Sequence, residues 1–290
     1  MAGRNGGPHG VVGTIHTATK RVPLLLLLEG YVTLAVPLMT TILQPLPRSI
    51  VVDLTGGAGR CLSCGARDSS VCGAIAPKHL YRLAAAAVTV SVEAGQLFIQ
   101  EGGPAEHFFN VTHGTAKLFK LLPDGRRQIT GFAGTGHFLG LAVSDTYAFS
   151  AEALESMKVC RFSRTKLRAL LNDFPEMEKR LLEVASNELV AAQEQMLLLG
   201  RKTARERFAS FLITQAQLPS PCLGAPVKWA NIITLPMTRS EIADYFGLSM
   251  ESVSRLFTRF RNDGLIDTPD MRKIVIRDRA ALGKASSASD

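Results

Sequence analysis

Residues 238–260 read Thr-Arg-Ser-Glu-Ile-Ala-Asp-Tyr-Phe-Gly-Leu-Ser-Met-Glu-Ser-Val-Ser-Arg-Leu-Phe-Thr-Arg-Phe, and few chain geometries accept that order. Thr238 and Glu241 form a capping box, in which the hydroxyl accepts from the backbone at position 241 and the carboxylate reaches back. A short helix with Ile242, Ala243 and Phe246 inward is predicted to follow. Gly247 tolerates the left-handed backbone of a turn, and Ser249 caps a second helix. In that helix Val253, Leu256, Phe257 and Phe260 fall on one face. Glu251, Ser254, Arg255 and Thr258 fall on the other, at the i, i+3, i+4, i+7 spacing of a single side. Two capped helices around a glycine turn make a helix-turn-helix. Gly264 closes the second helix, and 267–270 with 272–276 predicts a hairpin wing.

A polar helix face is usually only solvated. Here the surroundings decide otherwise, because residues 201–290 carry 14 Lys and Arg against 9 Asp and Glu. The whole chain has a formal charge of +8 and a pI near 9.4, which suits a polyanion. The second helix is therefore expected to read double-stranded DNA from the major groove. Arg255 can pair bidentately with guanine and Glu251 can accept from a cytosine amino group. Ser254 can serve a base or a phosphate, whereas Arg239, Arg259 and Arg261 suit phosphates. Thr238 and Ser249, at the two helix starts, join this DNA-binding set.

Upstream, residues 176–199 contain neither Gly nor Pro. Leu182, Ala185, Leu189, Ala192, Met196 and Leu199 recur at gaps of three and four, the heptad seam of a helix that pairs with a copy of itself. A dimerisation helix over 175–200 is expected, opened by Pro175 and ended by Gly200.

Three of the five cysteines lie within twelve residues, at Cys61, Cys64 and Cys72. Thiolates gathered this way usually hold a soft metal centre, zinc or iron–sulfur. Either centre wants a fourth ligand. Cys160 is better placed than Cys222, which sits in a Pro- and Gly-rich loop. The odd cysteine count and the lack of an ordinary signal peptide point to a reducing cytoplasm.

Between these parts, short alternating runs punctuated by glycine predict a β domain of about one hundred residues. Its clearest hairpin turns at Pro123-Asp-Gly-Arg126, between strands at 116–122 and 128–132. The first 58 residues are expected to be an unstructured extension. Its apolar stretch after Val22 is broken by Pro23, Glu29-Gly30, Pro37 and Pro45, which argues against a membrane span. The expected boundaries are a cysteine segment at 59–76, a β-roll at 77–174, the dimerisation helix, a DNA-binding domain at 201–280 and a tail at 281–290. No paired carboxylates, Ser–His arrangement or phosphate loop suggests an enzyme.

Taken together, these features resemble the CRP/FNR superfamily of transcription regulators, in its FNR-type branch with cysteine-bearing relatives of FixK. The resemblance rests on Leu235 to Leu248, Glu251-Ser-Val-Ser-Arg255, Gln128-Ile-Thr-Gly-Phe132 and the cysteine cluster. It implies an α+β chain: a cyclic-nucleotide-binding-like β-roll, a long dimerisation helix and a C-terminal winged helix-turn-helix. It further implies a [4Fe–4S] cluster on Cys61, Cys64, Cys72 and Cys160, and TTGAT-like half-sites read by Glu251, Ser254 and Arg255. A homodimer that activates genes when oxygen is low is implied, with RNA polymerase touching the turn at Asp124, Gly125 and Arg126. Where the cyclic-nucleotide branch places its ribose Glu and phosphate Arg, this chain has Leu141 and Tyr147, so no cyclic nucleotide is expected. Three alternatives stay open: a structural zinc site, a regulator gated by another small molecule, and an electron-transfer iron–sulfur protein.

Overall fold

The computed structural model describes residues 51–53, 57–142, 144–218 and 228–287. The expectations for residues 1–50 and for Cys222 lie outside these. A strand β1 (Val51–Asp53) comes first, where an unstructured extension was expected; it pairs with a strand forty residues later. The cysteine segment then winds through α1 (Gly59–Leu62) and a 3-10 turn at Val71–Ala74. A second 3-10 turn at Pro77–His79 leads into α2 (Leu80–Ala86).

The β-roll follows as β2 (Ala87–Val92), β3 (Leu97–Ile99), β4 (His107–His113), β5 (Ala116–Leu121), β6 (Arg127–Ala133), β7 (Phe138–Leu139), β8 (Ser150–Ala153) and β9 (Met157–Ser163). One antiparallel sheet has the order β1-β2-β9-β4-β7, the other β3-β8-β5-β6. Their inner faces share a core that includes Val90, Val92, Phe109, Val111 and Val159. Because side chains alternate along a strand, the intervening residues of the first sheet point outward. That outer face is covered by the cysteine segment, by α2 and by α3 (Arg164–Asp173), through Leu80, Leu83, Leu167 and Leu170. Helices α2 and α3 were not anticipated inside the β region. The signal for α3 was present: the Ser163 hydroxyl accepts from the Lys166 N–H at 3.3 Å, with two leucines three residues apart behind it.

Helix α4 (Pro175–Arg201) runs two residues past Leu199, so Gly200 lies within its last turn and does not end it. The C-terminal domain consists of α5 (Ala204–Ala216), β10 (Gln217–Leu218), β11 (Lys228–Trp229), β12 (Ile232–Thr234), α6 (Arg239–Phe246), α7 (Met250–Asn262), β13 (Ile266–Asp267), β14 (Lys273–Ile276) and α8 (Arg279–Ser287). The wing is a three-stranded sheet, β12-β14-β13. Residues expected to form a tail instead build α8, whose Leu282 and Ala285 enter the domain core.

Candidate thiol site and nucleic-acid interface

The outer face of the first sheet carries one polar row among aromatic neighbours. Thr89 stands opposite Cys160, Cys160 opposite Asn110, and Asn110 opposite Phe138. The cysteine segment lies above this row. Arg60 fixes it by donating to the carbonyls of Ala84 at 2.6 Å and Ala87 at 2.7 Å. Arg67 donates to Ile75 O at 2.9 Å, and the Ser70 hydroxyl accepts from the Cys72 N–H at 3.3 Å. Between segment and sheet is a cavity of about 350 Å³ lined by Cys61, Cys64, Cys72 and Cys160, with Arg60, Arg67 and Asn110 among its walls. All four cysteines are free thiols.

The structure therefore brings the expected fourth cysteine to the other three, across 88 residues of chain between Cys72 and Cys160. Burial pushes the Cys72 thiol up to about 12 and the Cys160 thiol to about 11. Burial also raises Cys61, with Arg60 pulling the other way. Desolvated thiols of this kind stay protonated until a metal displaces the protons. Among the described residues no three His, Cys, Asp or Glu side chains converge on a single ion. A lone zinc needs every sulfur about 2.3 Å from one point. A polynuclear centre takes each thiolate on a different metal atom and needs them around a shared cavity, and these four cysteines line one. Arg60, Arg67 and Asn110 were not singled out from the sequence. The two arginines could have been, since Arg60 directly precedes the cysteine run and Arg67 lies within it.

The segment that covers the cavity packs on α4 through its 71–74 turn. Leu181 and Val184 of that helix belong to the same apolar cluster as Val71, Cys72 and Ile75. On a neighbouring face of the same helix the seam stands open: Leu182, Leu189 and Met196 are 65%, 60% and 65% exposed. Ala192 is exposed and Ala185 half-buried. Leu199 departs from the seam, being half-buried against the C-terminal core beside Leu198.

In the C-terminal domain the capping box forms, with the Thr238 N–H donating to Glu241 Oε2 at 2.7 Å and the Glu241 N–H to Thr238 Oγ1 at 3.2 Å. Gly247 is left-handed at φ 65°, and Ser249 accepts from the Ser252 N–H at 3.1 Å. Val253, Leu256, Phe257 and Phe260 are buried. The Phe208 ring meets Phe257 at 4.5 Å and Phe260 at 4.8 Å between centroids. The outer face of α7 presents Glu251, Ser254, Arg255, Thr258 and Arg259 to solvent. Arg255 donates to Glu251 Oε1 at 2.5 Å, and the Ser254 hydroxyl to Met250 O at 2.9 Å. Arg239 departs from its expected phosphate role in this conformation. Its guanidinium lies half-buried over the Phe257 ring, and burial, then Arg261, holds its pKa down to about 10.

The β-roll grips α6 through the β5–β6 hairpin. Lys117, 4% exposed, reaches Glu152 at 2.7 Å and Glu241 at 2.9 Å. Arg127 donates twice to Asp244 Oδ2, at 2.7 and 3.0 Å, and Gln128 donates to the carbonyl of Asp244 at 2.8 Å. Glu241 thus caps α6 and ties it to the roll with one carboxylate. At the tip of the hairpin Asp124, Gly125 and Arg126 are exposed, with Gly125 at φ 84°. The Arg126 backbone and side chain donate to Asp124, holding that carboxyl below the usual range. Tyr147 is buried and its hydroxyl donates to His107 O at 2.8 Å.

Comparison with known proteins places both halves of the chain. The family model of the Crp-like helix-turn-helix domain matches residues 206–285, and that of the cyclic nucleotide-binding domain matches 89–174. The nitrogen fixation regulation protein FixK of Bradyrhizobium diazoefficiens is 37% identical over 206 residues, covering 71% of this chain and 85% of that protein. The transcriptional activator protein FnrL of Cereibacter sphaeroides is 35% identical, covering 77% and 90%. Among solved structures, FixK2 from Bradyrhizobium japonicum superposes with a TM-score of 0.63 at 33% identity, covering 70% of this chain and 99% of that one.

Proposed function

The chain belongs to the CRP/FNR family of transcription regulators, and we propose that it is an oxygen-responsive activator working as a homodimer with a [4Fe–4S] cluster on Cys61, Cys64, Cys72 and Cys160. The single observation that carries this reading is that four free thiols from two distant parts of the chain line one cavity, under a segment that packs on α4. Such a cluster, when bound, supplies an oxygen-sensitive linkage through four iron–thiolate bonds.

The protein's own residues give that linkage consequences. Cys61, Cys64 and Cys72 hold the segment down on the sheet through the strand that carries Cys160. Val71 and Ile75 then keep the packing of Leu181 and Val184, and with it the setting of α4. On the neighbouring face of the same helix, Leu182, Leu189 and Met196 are the apolar surface that a second copy would cover, a burial worth about 1.5–3 kcal/mol for each such side chain. Release of the segment would loosen one face of α4 and so misalign the other.

In the dimer two α7 helices would address half-sites about 34 Å apart, one turn of the duplex. Arg255 would leave its intrahelical pair with Glu251 to take a guanine, with Glu251 turning to a cytosine amino group. That assignment fits TTGAT-like half-sites. Losing the dimer would remove the linkage of two half-sites and weaken binding far more than losing one contact. Promoter activation would use the exposed turn at Asp124–Arg126 against RNA polymerase.

Anaerobic purification followed by iron and sulfide analysis, with operator binding measured before and after exposure to air, tests the proposal. The expected result is about four irons per chain, visible absorbance, and operator affinity falling about 100-fold or more once air bleaches the protein. Cys160→Ala is expected to abolish both the colour and the high affinity without unfolding the chain. Colourless protein with one zinc, or an affinity indifferent to air, overturns the reading.

A further inference from the structure

Beneath the thiol cavity lies a polar side chain with no evident structural reason to be there. Asn110 is 1% exposed, on a sheet face that it shares with Phe108, Phe138 and Phe162. Its Nδ2 donates to Cys72 Sγ at 3.8 Å, within the longer reach of sulfur. Among the described residues its Oδ1 has no hydrogen-bond partner. Cys160 is its neighbour in the β4–β9 ladder. One amide therefore adjoins a cysteine of the segment and the cysteine of the sheet.

An interior amide left half-paired costs stability, and an apolar residue of the same shape would avoid the cost. A buried polar group of this kind calls for an account in terms of what it faces. We propose that Asn110 is a positioning residue for the metal centre: its N–H donates to the sulfur of Cys72 and sets the reduction potential and air lifetime of whatever cluster the four cysteines hold. This rests on the cluster reading above. The physical basis is that hydrogen bonds to ligand sulfurs, together with burial, tune such potentials. A donor at sulfur disperses thiolate charge and favours the more negative, reduced state. Removing it moves the midpoint potential down and makes oxidation by air easier. The Asn110 strand position also sets the distance between the two halves of the ligand set, since Cys160 and Asn110 share a register fixed by the ladder.

The test compares anaerobically purified wild-type protein with Asn110→Leu, Asn110→Ser and Asn110→Asp, each checked for native circular dichroism. The readouts are midpoint potential by spectroelectrochemistry and half-life of the visible absorbance in air. A donor role predicts that Leu, isosteric but without a donor, shifts the potential down and shortens the half-life several-fold. Ser, smaller but still a donor, is expected to recover part of both, and Asp, which places a carboxylate beside the thiolates, to be worst. A mere packing role predicts the reverse order for Leu and Ser. Leu matching wild type, or Ser falling below Leu, overturns the proposal, as does a folded Ser variant that binds no cluster. A folded Leu variant that binds none while Ser does supports it. Wild-type protein without iron and sulfide removes the cluster reading itself, a result recognisable before any variant is compared.

Discussion

The thiol cavity and the reading helix draw on the chain in opposite ways. The cavity takes residues from positions 60–72, 89, 110 and 160, encloses them, and lifts the Cys72 and Cys160 thiols well above their ordinary pKa by burial. The outer face of α7 takes its residues from 251–259 and leaves them in water, with Arg255 and Glu251 both about three-quarters exposed. A buried site is sensitive to its walls, because every desolvated group needs a partner. An exposed helix face is sensitive to orientation, because its side chains act only where the helix aims them. The contrast suggests what joins them: α4, which packs on the segment over the cavity at Leu181 and Val184, and the β5–β6 hairpin, which grips α6 through Lys117 and Arg127.

The largest expected effect separates the two regions. Lys117→Met leaves Glu152 and Glu241 without their shared cation in a nearly closed setting, a loss of about 3–5 kcal/mol for a buried pair. Thermal unfolding is expected to shift down by several degrees, with operator affinity falling while iron content stays at the wild-type level. A fall in iron content with no fall in affinity would break the view that the hairpin serves the reading end. Next in size is Arg255→Ala, which on the proposed reading removes one base contact per half-site and costs about 1–3 kcal/mol at each. Binding-site selection with the variant should relax at one symmetric base pair, and the cluster should be untouched. Equal weakening on all sequences would make Arg255 a phosphate contact instead.

The smallest effect is set by pH. Burial raises the Glu241 carboxyl, but the Thr238 N–H and then Lys117 outweigh it, and the net pKa lies below its ordinary 4.5. A carboxyl lowered in the folded state stabilises the fold above its unfolded pKa and loses that contribution as pH falls through the folded value. The grip on α6 is therefore expected to hold at neutral pH and to slacken only below about pH 4.5. Stability of wild type and Glu241→Gln, measured across that range, should converge at the acid end; a constant difference would place the Glu241 contribution elsewhere.

Much of this was legible in the order of residues. The capping box at Thr238, the left-handed Gly247 and the Ser249 cap each depend on groups within about four positions of one another, and such local rules do not need the rest of the fold. The hairpin at Pro123–Arg126 was legible for the same reason, with Gly125 at the position that requires positive φ. Helices α2 and α3 were missed because each is short and packs only one face against the sheet, so few residues carry the period. Gly200 misled because a glycine near a helix end usually marks its stop. Here Leu198, buried in the C-terminal core, and Leu199, packed against it, hold the final turn in helical form.

The sequence by itself determined the α+β composition, the helix-turn-helix and the presence of thiols in a spacing fit for a metal centre. Only the tertiary structure decided that Thr89, Cys160 and Asn110 form one row, since ladder register joins strands whose separation in sequence carries no signal. It also decided that Arg239 stacks inward over Phe257, and that one helix packs on the cavity's covering segment with one face and leaves an apolar seam on a neighbouring one. Those outcomes depend on which surfaces compete for burial, a contest settled only when all the elements are packed together.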